Sequence, residues 1–374
     1  MSKYRYILFG AGRQGTAAIH DLVTNCEAAS VLVVDPDAAR LKAAEQRLKG
    51  TLGKRASTLR FQTKANVADV KGAHGVLSCA THQANVELTK LALAAGVPFT
   101  DLGGNYEVVS QQEKLAAKSS IPVVPDCGVS PGISNIVAVH CAKVHGCDEV
   151  HVRCGGLPLE QPDAAQNPLK YKLVFSPWGL LSEYSGDVSV IRKGKLGSVP
   201  ALSITEEFDA EHESSPTSNN SPQVVKYLAE CGVETYDYMT IRYKGHWDLV
   251  RGWKTLGFLQ RDAKRDEQLV ELLDSDPVLK YEPKKDRDKL MLRVQGSKTE
   301  NAFRRGFEYR FDVAADKRTR FSAMELTTCW GITIVAHHIA SGRGQPKGFA
   351  TPERFVDTGW VIREVEKRLA QIER

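Results

Sequence analysis

A chain of 374 residues, 42% apolar and 25% charged, is long enough for two domains and has a globular composition throughout. A formal net charge of +5 is too mild to signal a nucleic-acid partner, and the densest charge run, residues 284–289, alternates in sign. No apolar run reaches about 18 residues, so no membrane span is expected. The opening MSKYRYILFG enters a strand at once and lacks the apolar core of a secretory signal, so a cytoplasmic location is expected. None of the eight cysteines forms a C-x-x-C pair, so neither a metal site nor a disulfide framework is expected.

The first part of the chain alternates short β-branched runs with helical patterns. Strands are expected at 6–9, 30–35, 59–63, 75–80, 97–102 and 121–126, with a helix such as 83–95 closing on Gly96 and Val97-Pro98. Alternation of this kind predicts parallel strands in a doubly wound α/β sheet, the Rossmann arrangement. Past residue 130 the pattern changes. A helix at 134–144 leads to a strand at 149–155, then helices at 222–230 and 246–256 and strands at 240–243, 289–295 and 306–314. This predicts an α+β substrate and dimerisation domain with a mixed sheet. A helix from Ala323 to Ala340, opened by a Ser322–Glu325 capping box, and an amphipathic tail helix follow. The expected division is a dinucleotide-binding domain at 1–130, to which 323–374 return, and a substrate domain at 131–322.

Within ILFGAGRQG, Gly10-Ala11-Gly12-Arg13-Gln14-Gly15 fits G-x-G-x-x-G between a strand and a helix. Gly10 permits the tight turn, Gly12 the close approach of a diphosphate, and Gly15 the packing of helix on strand. The helix N-terminus then offers its N–H groups to phosphate. Asp35 closes the second strand about 20 residues on, where an acid accepts ribose hydroxyls and repels a 2′-phosphate. No arginine adjoins it; Arg40 is the nearest. NAD is therefore expected over NADP. Ala80, Thr81, Gly103 and Gly104 end parallel strands and are expected to border the nicotinamide ribose. The stretch VVPDCGVSPGISN (123–135) leaves the first domain, with the N–H groups of Val129 and Ser130 expected to face the nicotinamide and Asp126 to form a polar wall.

DLGG (101–104), PDCGVSPGISN (125–135), CGGLP (154–158), PLKYKLVFSPWGLLSEY (168–184) and TIRYKGH (240–246) occur in the same order as in the saccharopine dehydrogenase family, which this chain resembles over nearly its whole length. The resemblance is nearest to the family's lysine 6-dehydrogenases. It implies a discontinuous Rossmann domain, a homodimer, and chemistry at a C–N bond of an amino acid side chain. The reaction so implied is NAD-dependent oxidative deamination of the distal amine of L-lysine or a similar amino acid, giving a semialdehyde and ammonia. The alternatives are a saccharopine-type opine reductase, which forms or splits a secondary amine, and a catalytically silent NAD-binding homologue.

An amino acid substrate needs a carboxylate clamp, and a guanidinium supplies one with two parallel hydrogen bonds. Arg242 of TIRYKGH is the candidate; the matching arginine of the family binds substrate carboxylate. A distal amine with a free pKa of about 10.4 must lose its proton before hydride can leave its carbon. His246, Asp126, Tyr171 and Lys172 are the candidates for that step. Tyr171 and Lys172 are expected on a strand, so that only one of them faces inward. Saccharopine reductases carry an acid where this chain has Ser130, whereas the lysine enzymes carry a small residue. The family's loop E-A-F-x-T-S-G-G reads ESSPTSNN here (213–220). It retains Glu213, Thr217 and Ser218 and has Asn219-Asn220 for the glycines, which places Thr217, Ser218 and Asn219 at the substrate.

Overall fold

The computed structural model describes residues 3–103, 106–218, 221–260, 263–283 and 285–373. The chain divides into two compact units, Met1–Ile136 with Glu325–Gln371, and Val137–Met324 with Ile372–Arg374.

In the first unit, strands β1 (Tyr4–Phe9), β2 (Ala28–Val34), β3 (Leu59–Gln62), β4 (Gly75–Ser78), β5 (Phe99–Asp101) and β6 (Val123–Val124) form one sheet in the order β3-β2-β1-β4-β5-β6. Every pair is parallel. Parallel neighbours need crossovers, and α1 (Arg13–Asn25), α2 (Ala38–Leu52), α3 (Val67–Val70), α4 (Asn85–Ala95) and α5 (Tyr106–Ala116) supply them. This order reverses direction beside β1, where doubly wound sheets open a ligand crevice at the strands' carboxyl ends. Ile7, Phe9, Val34, Val76, Phe99 and Val123 are buried together in the core, as expected for strands covered on both faces. Gly96 ends α4 at φ +68°, a left-handed cap that glycine adopts without a Cβ clash.

Two later helices complete this unit, α11 (Ala323–Ala340) from Glu325 onward and α12 (Thr358–Leu369). Most residues of α11 are buried, which suits a helix that is apolar all round. The Asp288 carboxylate, itself fully buried, accepts from the amides of Ala323 and Met324 at 2.6 and 3.0 Å. Glu325 receives Arg13 and Arg47. A charged acceptor held in place by the sheet satisfies the first amides of the helix.

The second unit holds α6 (Ile133–His145) from Val137 onward, together with β7 (Glu149–Pro158), α7 (Pro177–Glu183), β8 (Asp187–Arg192), β9 (Lys195–Pro200), β10 (Glu206–Glu207) and β11 (His212–Pro216). Next come α8 (Pro222–Glu230), β12 (Thr235–Tyr243), α9 (His246–Thr255), α10 (Ala263–Ser275), β13 (Asp288–Glu300) and β14 (Phe303–Ala314). The sheet runs β10-β11-β12-β7-β13-β14, with β8 joined to β12 and β9 to β8. Only β12 and β7 pair in parallel, so the sheet is mixed. The β8–β9 hairpin and α10 lie where no element is expected from the sequence pattern. Tyr171 and Lys172, expected on a strand, lie in irregular chain. The Asn167 side chain donates to the Tyr171 carbonyl at 2.6 Å, taking up a group that a strand would offer to a ladder. The expected split still holds there: Tyr171 is buried, while Lys172 reaches out to Asp286 at 3.0 Å.

Candidate functional site

The glycine turn after β1 shows a distinct role for each glycine. At Gly10, φ is +95° and a Cβ would fall 2.6 Å from the Cys79 carbonyl carbon, so glycine alone fits past the end of β4. A Cβ on Gly15 would run into the Gly10 carbonyl, so its absence lets α1 close on the turn. A Cβ on Gly12 would meet nothing within 4 Å. Two glycines packed and one facing open space is the cradle a diphosphate needs at a helix N-terminus. In the first turn of α1, the buried Gln14 Oε1 has no hydrogen-bond partner among the described residues. The residues therefore fit a dinucleotide.

Asp35 sits directly after β2 and is buried. Its Oδ2 accepts from Ala11 N at 2.7 Å and its Oδ1 from Asp37 N at 2.9 Å, which ties the glycine turn to the end of β2. A carboxylate oxygen accepts more than one hydrogen bond, so ribose hydroxyls can be added to these. Asp37 caps α2 by accepting from Ala39 and Arg40 amides at 2.8 and 3.2 Å, and it pairs with the Arg40 guanidinium at 3.4 Å. Arg13, inside the turn itself, is drawn to Glu325 at 2.8 Å.

On the other half of this edge, Ala80 is half-buried and Thr81 exposed after β4. Gly103 follows β5 at φ +101°; Gly104 lies outside the described residues. Asp126 adopts φ +60°, and its Oδ1 stands 2.7 Å from where a Cβ on Gly103 would be. The two loops thus touch. The carbonyls of Gly128 and Val129 accept from the Ile133 and Ser134 amides at 3.0 and 2.9 Å. Ser134 Oγ donates to Ser130 Oγ at 2.8 Å. The buried Asn135 Nδ2 has no partner among the described residues.

In the second unit the matched motifs converge on Arg242, near the end of β12. Its guanidinium is 1% exposed. It stacks 4.7 Å from the Tyr171 ring centre, with Trp247 at 5.8 Å and Tyr184 at 5.9 Å. Nε donates to Tyr184 Oη at 3.2 Å, Nη1 to the Ile241 carbonyl at 2.9 Å, and Nη2 to Glu183 Oε2 at 3.3 Å. The expectation that Arg242 clamps a substrate carboxylate meets a guanidinium already caged by rings and neutralised by Glu183. A buried arginine needs such a partner to offset its lost hydration.

His246 starts α9 and is buried. Nδ1–H donates to the Leu169 carbonyl at 2.8 Å, and Nε2 accepts from Tyr184 Oη at 2.9 Å. Burial, then the Arg242 charge, push its pKa down to about 3. The expectation that it takes an amine proton therefore meets a neutral ring with both nitrogens engaged, a fixed tautomer that holds Tyr184. Burial pushes the Tyr171 hydroxyl upward, which keeps it protonated, and its Oη has no partner among the described residues. Glu213 pairs in register with Arg242 and accepts from the Gly245 and Trp247 amides at 2.9 and 3.3 Å, so it caps α9. Thr217 Oγ1 meets Thr240 Oγ1 at 2.6 Å, and Ser218 N donates to the Glu183 carbonyl at 2.9 Å. Asn219 lies outside the described residues. Glu183 and Tyr184, central to this cage, were not singled out from the sequence, although both lie in the matched stretch that ends SEY.

Among the described residues no cluster of three metal-ligating side chains occurs, and no helix is long and apolar enough to cross a membrane. The first unit thus has the fold and glycine turn of a dinucleotide-binding domain, and the second, an α+β unit, holds a buried polar cage. Comparison with known proteins is more specific. Residues 6–122 match the family model described as "Saccharopine dehydrogenase NADP binding domain", and 128–372 the one described as "Saccharopine dehydrogenase C-terminal domain". The chain belongs to the saccharopine dehydrogenase family. The apo histidine-tagged saccharopine dehydrogenase (L-Glu forming) from Saccharomyces cerevisiae superposes with a TM-score of 0.72 at 16% identity, covering 98% of this chain and 97% of that one. Among curated relatives, mitochondrial alpha-aminoadipic semialdehyde synthase of Bos taurus is 26% identical over 188 residues, which is 47% of this chain and 20% of that protein. Saccharopine dehydrogenase [NADP(+), L-glutamate-forming] of Schizosaccharomyces pombe is 22% identical over 242 residues, 60% of this chain and 52% of that protein. The matched stretches thus span only about a fifth to a half of these curated relatives' lengths.

Proposed function

We propose that the protein carries out NAD-dependent oxidative deamination of the distal amine of L-lysine or a similar amino acid, releasing the semialdehyde and ammonia. The observation that carries the choice is Ser130. A neutral hydroxyl, hydrogen-bonded to Ser134, stands where saccharopine reductases carry an acid. A site without that acid lacks a charge with which to hold a second amino acid. The preference for NAD over the NADP named in the family description rests on Asp35 and Asp37. Two carboxylates follow β2, and the nearest guanidinium already faces one of them; a 2′-phosphate would meet like charge.

A bound nicotinamide would supply the hydride acceptor. Gly10, Gly12, Gly15 and the α1 N-terminus would hold the diphosphate, Asp35 the adenosine ribose, and Gly103 with the 125–132 loop the nicotinamide side. We assign Asp126 to the substrate nitrogen: its carboxylate opposes the positive charge that develops on the C–N bond as hydride departs. Tyr171, a protonated hydroxyl without a partner among the described residues, is a further polar candidate for substrate contact. Arg242 and His246 act through Tyr184 and Glu183 as positioning residues. A homodimer is part of the same reading, supported by β14, which forms one edge of its sheet with much of its length exposed.

An opine-type reduction is the second reading, favoured by the saccharopine dehydrogenases among the curated relatives. A screen of lysine, ornithine, saccharopine and diamines with NAD and NADP at alkaline pH separates the two. Ammonia release from lysine with NADH formation supports deamination. Turnover of saccharopine alone, with glutamate released, replaces it by the second reading. Binding of cofactor without turnover of any amine would leave a silent homologue.

A further inference from the structure

Two loops frame the carboxyl edge of the first sheet beyond β4: the turn after β5 and the loop after β6. One side chain holds both. Asp101 closes β5 and is fully buried. Its Oδ1 accepts from Gly103 N at 2.7 Å, and its Oδ2 from Gln112 Nε2 of α5 at 2.6 Å. The same carboxylate accepts from the Asp126 backbone N–H, and the Asp101 carbonyl accepts from Cys127 N at 2.9 Å. Gln112 passes the restraint on to Thr89 of α4 at 3.1 Å. Among the described residues, no Lys or Arg pairs with Asp101; its partners are neutral N–H groups. A buried carboxylate without a cation is a costly way to end a strand. A local rule broken at a ligand edge, with no gain to packing, marks a functional demand.

The demand is visible in what the carboxylate fixes. Gly103 at φ +101° and Asp126 at φ +60° are both in left-handed conformations, and Asp126 pays for its own with a Cβ clash that Asp only partly escapes. Each has its amide anchored on Asp101. Doubly wound sheets divide into two mononucleotide halves. With Asp35 on the β1–β2 half, the β4–β6 half receives the nicotinamide mononucleotide.

We propose that Asp101 is a positioning residue for the nicotinamide end of the bound dinucleotide, setting the backbones of Gly103 and Asp126 against it while touching neither cofactor nor substrate. The proposal rests on the reading of the glycine turn as a dinucleotide site, and its test keeps the two apart. NADH, NADPH, ADP-ribose and 2′-phospho-ADP-ribose are titrated calorimetrically into the full chain and into Asp101→Asn and Gln112→Ala variants, with thermal melts as a check on folding. Asp101→Asn retains the shape of the side chain and one carbonyl oxygen.

The expected result is a rise of about tenfold in Kd for the dinucleotide that the unaltered chain prefers, because only about a tenth of the loosened backbones would then stand ready for it. The matching ADP-ribose, which lacks the nicotinamide, should change less than about twofold. Gln112→Ala should show the same selectivity with a smaller loss. The fluorescence gain of bound NADH or NADPH, which reports the nicotinamide surroundings, should fall in step. Equal weakening of dinucleotide and ADP-ribose, or no weakening of either in a folded Asn variant, overturns the proposal while leaving the glycine-turn reading intact. No binding of any of the four probes by the unaltered chain overturns both.

Discussion

Asp21 of α1 and Arg368 of α12 meet in the core of the first unit, both almost wholly buried. Arg368 Nε lies 2.9 and 3.1 Å from the two carboxylate oxygens, and Nη2 lies 3.0 Å from Oδ2. Thr333 of α11 adds a hydrogen bond to the same carboxylate at 2.5 Å, so one anion fastens three helices from opposite ends of the sequence. Removing one partner of such a pair leaves a buried, uncompensated charge. Arg368→Met should lower stability by about 3–5 kcal/mol, read from chemical denaturation. Asp21→Asn combined with Arg368→Met should recover part of that loss.

The same pair sets an acid limit. Burial pushes the Asp21 carboxyl up, but the Arg368 charge and hydrogen bonds outweigh it and hold the pKa below the usual carboxylate value. A carboxyl lowered on folding stabilises the fold above its unfolded pKa of about 3.9, and that stabilisation is lost as pH falls through the folded value. In Arg368→Met the lowering is gone, so acid unfolding followed by circular dichroism should begin at a higher pH than in the unaltered chain.

Arg242 tests the second unit. Its charge is held by Glu183 and by three rings, so Arg242→Ala should lower the melting temperature and release Tyr184 from its place. If the guanidinium acts through that cage, KM for lysine and for its decarboxylated diamine should rise by similar factors. A rise confined to lysine would instead assign Arg242 direct contact with the substrate carboxylate.

What the sequence made legible followed from the range of each interaction. The turn at Gly10–Gly15 is a local pattern of spacing between a strand and a helix, so it was found from sequence, although the close approach that demands Gly10 comes from Cys79 on a distant strand end. The cage around Arg242 was only half visible: the arginine stood out on an apolar strand, but Glu183 reaches it from α7, 59 residues away. The first amides of α11 are taken by Asp288 from 35 residues back, a partner that no local capping pattern shows. Tyr171 and Lys172 alternate like a strand, and a single Asn167 side chain diverts a carbonyl that pairing would use. Patterns of period and spacing capture what neighbours in sequence do; they carry no record of a buried charge supplied by another element.

Asp35 should separate the two cofactors. Its carboxylate both pins Ala11 N and stands where an adenosine ribose would be held, so Asp35→Asn loses some affinity for each dinucleotide through the loosened turn. The further loss falls on NAD, which gives up an ionic acceptor for its ribose hydroxyls, while NADP is relieved of a repulsion. The Kd ratio of NADP to NAD should therefore fall by about tenfold or more, the value of one charged hydrogen bond. Fluorescence titration with NADH and NADPH reads it. An unchanged ratio would leave Asp35 as a structural tie alone.

Asp101 joins function to a measurable cost. Burial raises its pKa to about 6, with the hydrogen bonds from Gln112, Gly103 and Asp126 lowering it only in part. The titratable groups beside it are the Cys79 and Cys127 thiols, pushed up by burial and by the charge of Asp101, and the Asp126 carboxyl. A carboxyl raised on folding contributes most below its unfolded pKa of about 3.9, and that contribution is lost as pH rises through about 6. At pH 7–8 the native state therefore carries an ionised, unpaired carboxylate that Asp101→Asn would not. The Asn variant should melt higher than the unaltered chain at pH 8, and the gap should narrow steadily between pH 6 and 4 as Asp101 becomes protonated in the native state while the unfolded chain is still ionised. Melting curves at four or five pH values give this directly. A gap that is constant with pH would mean that the side chain's shape, rather than its charge, sets the difference.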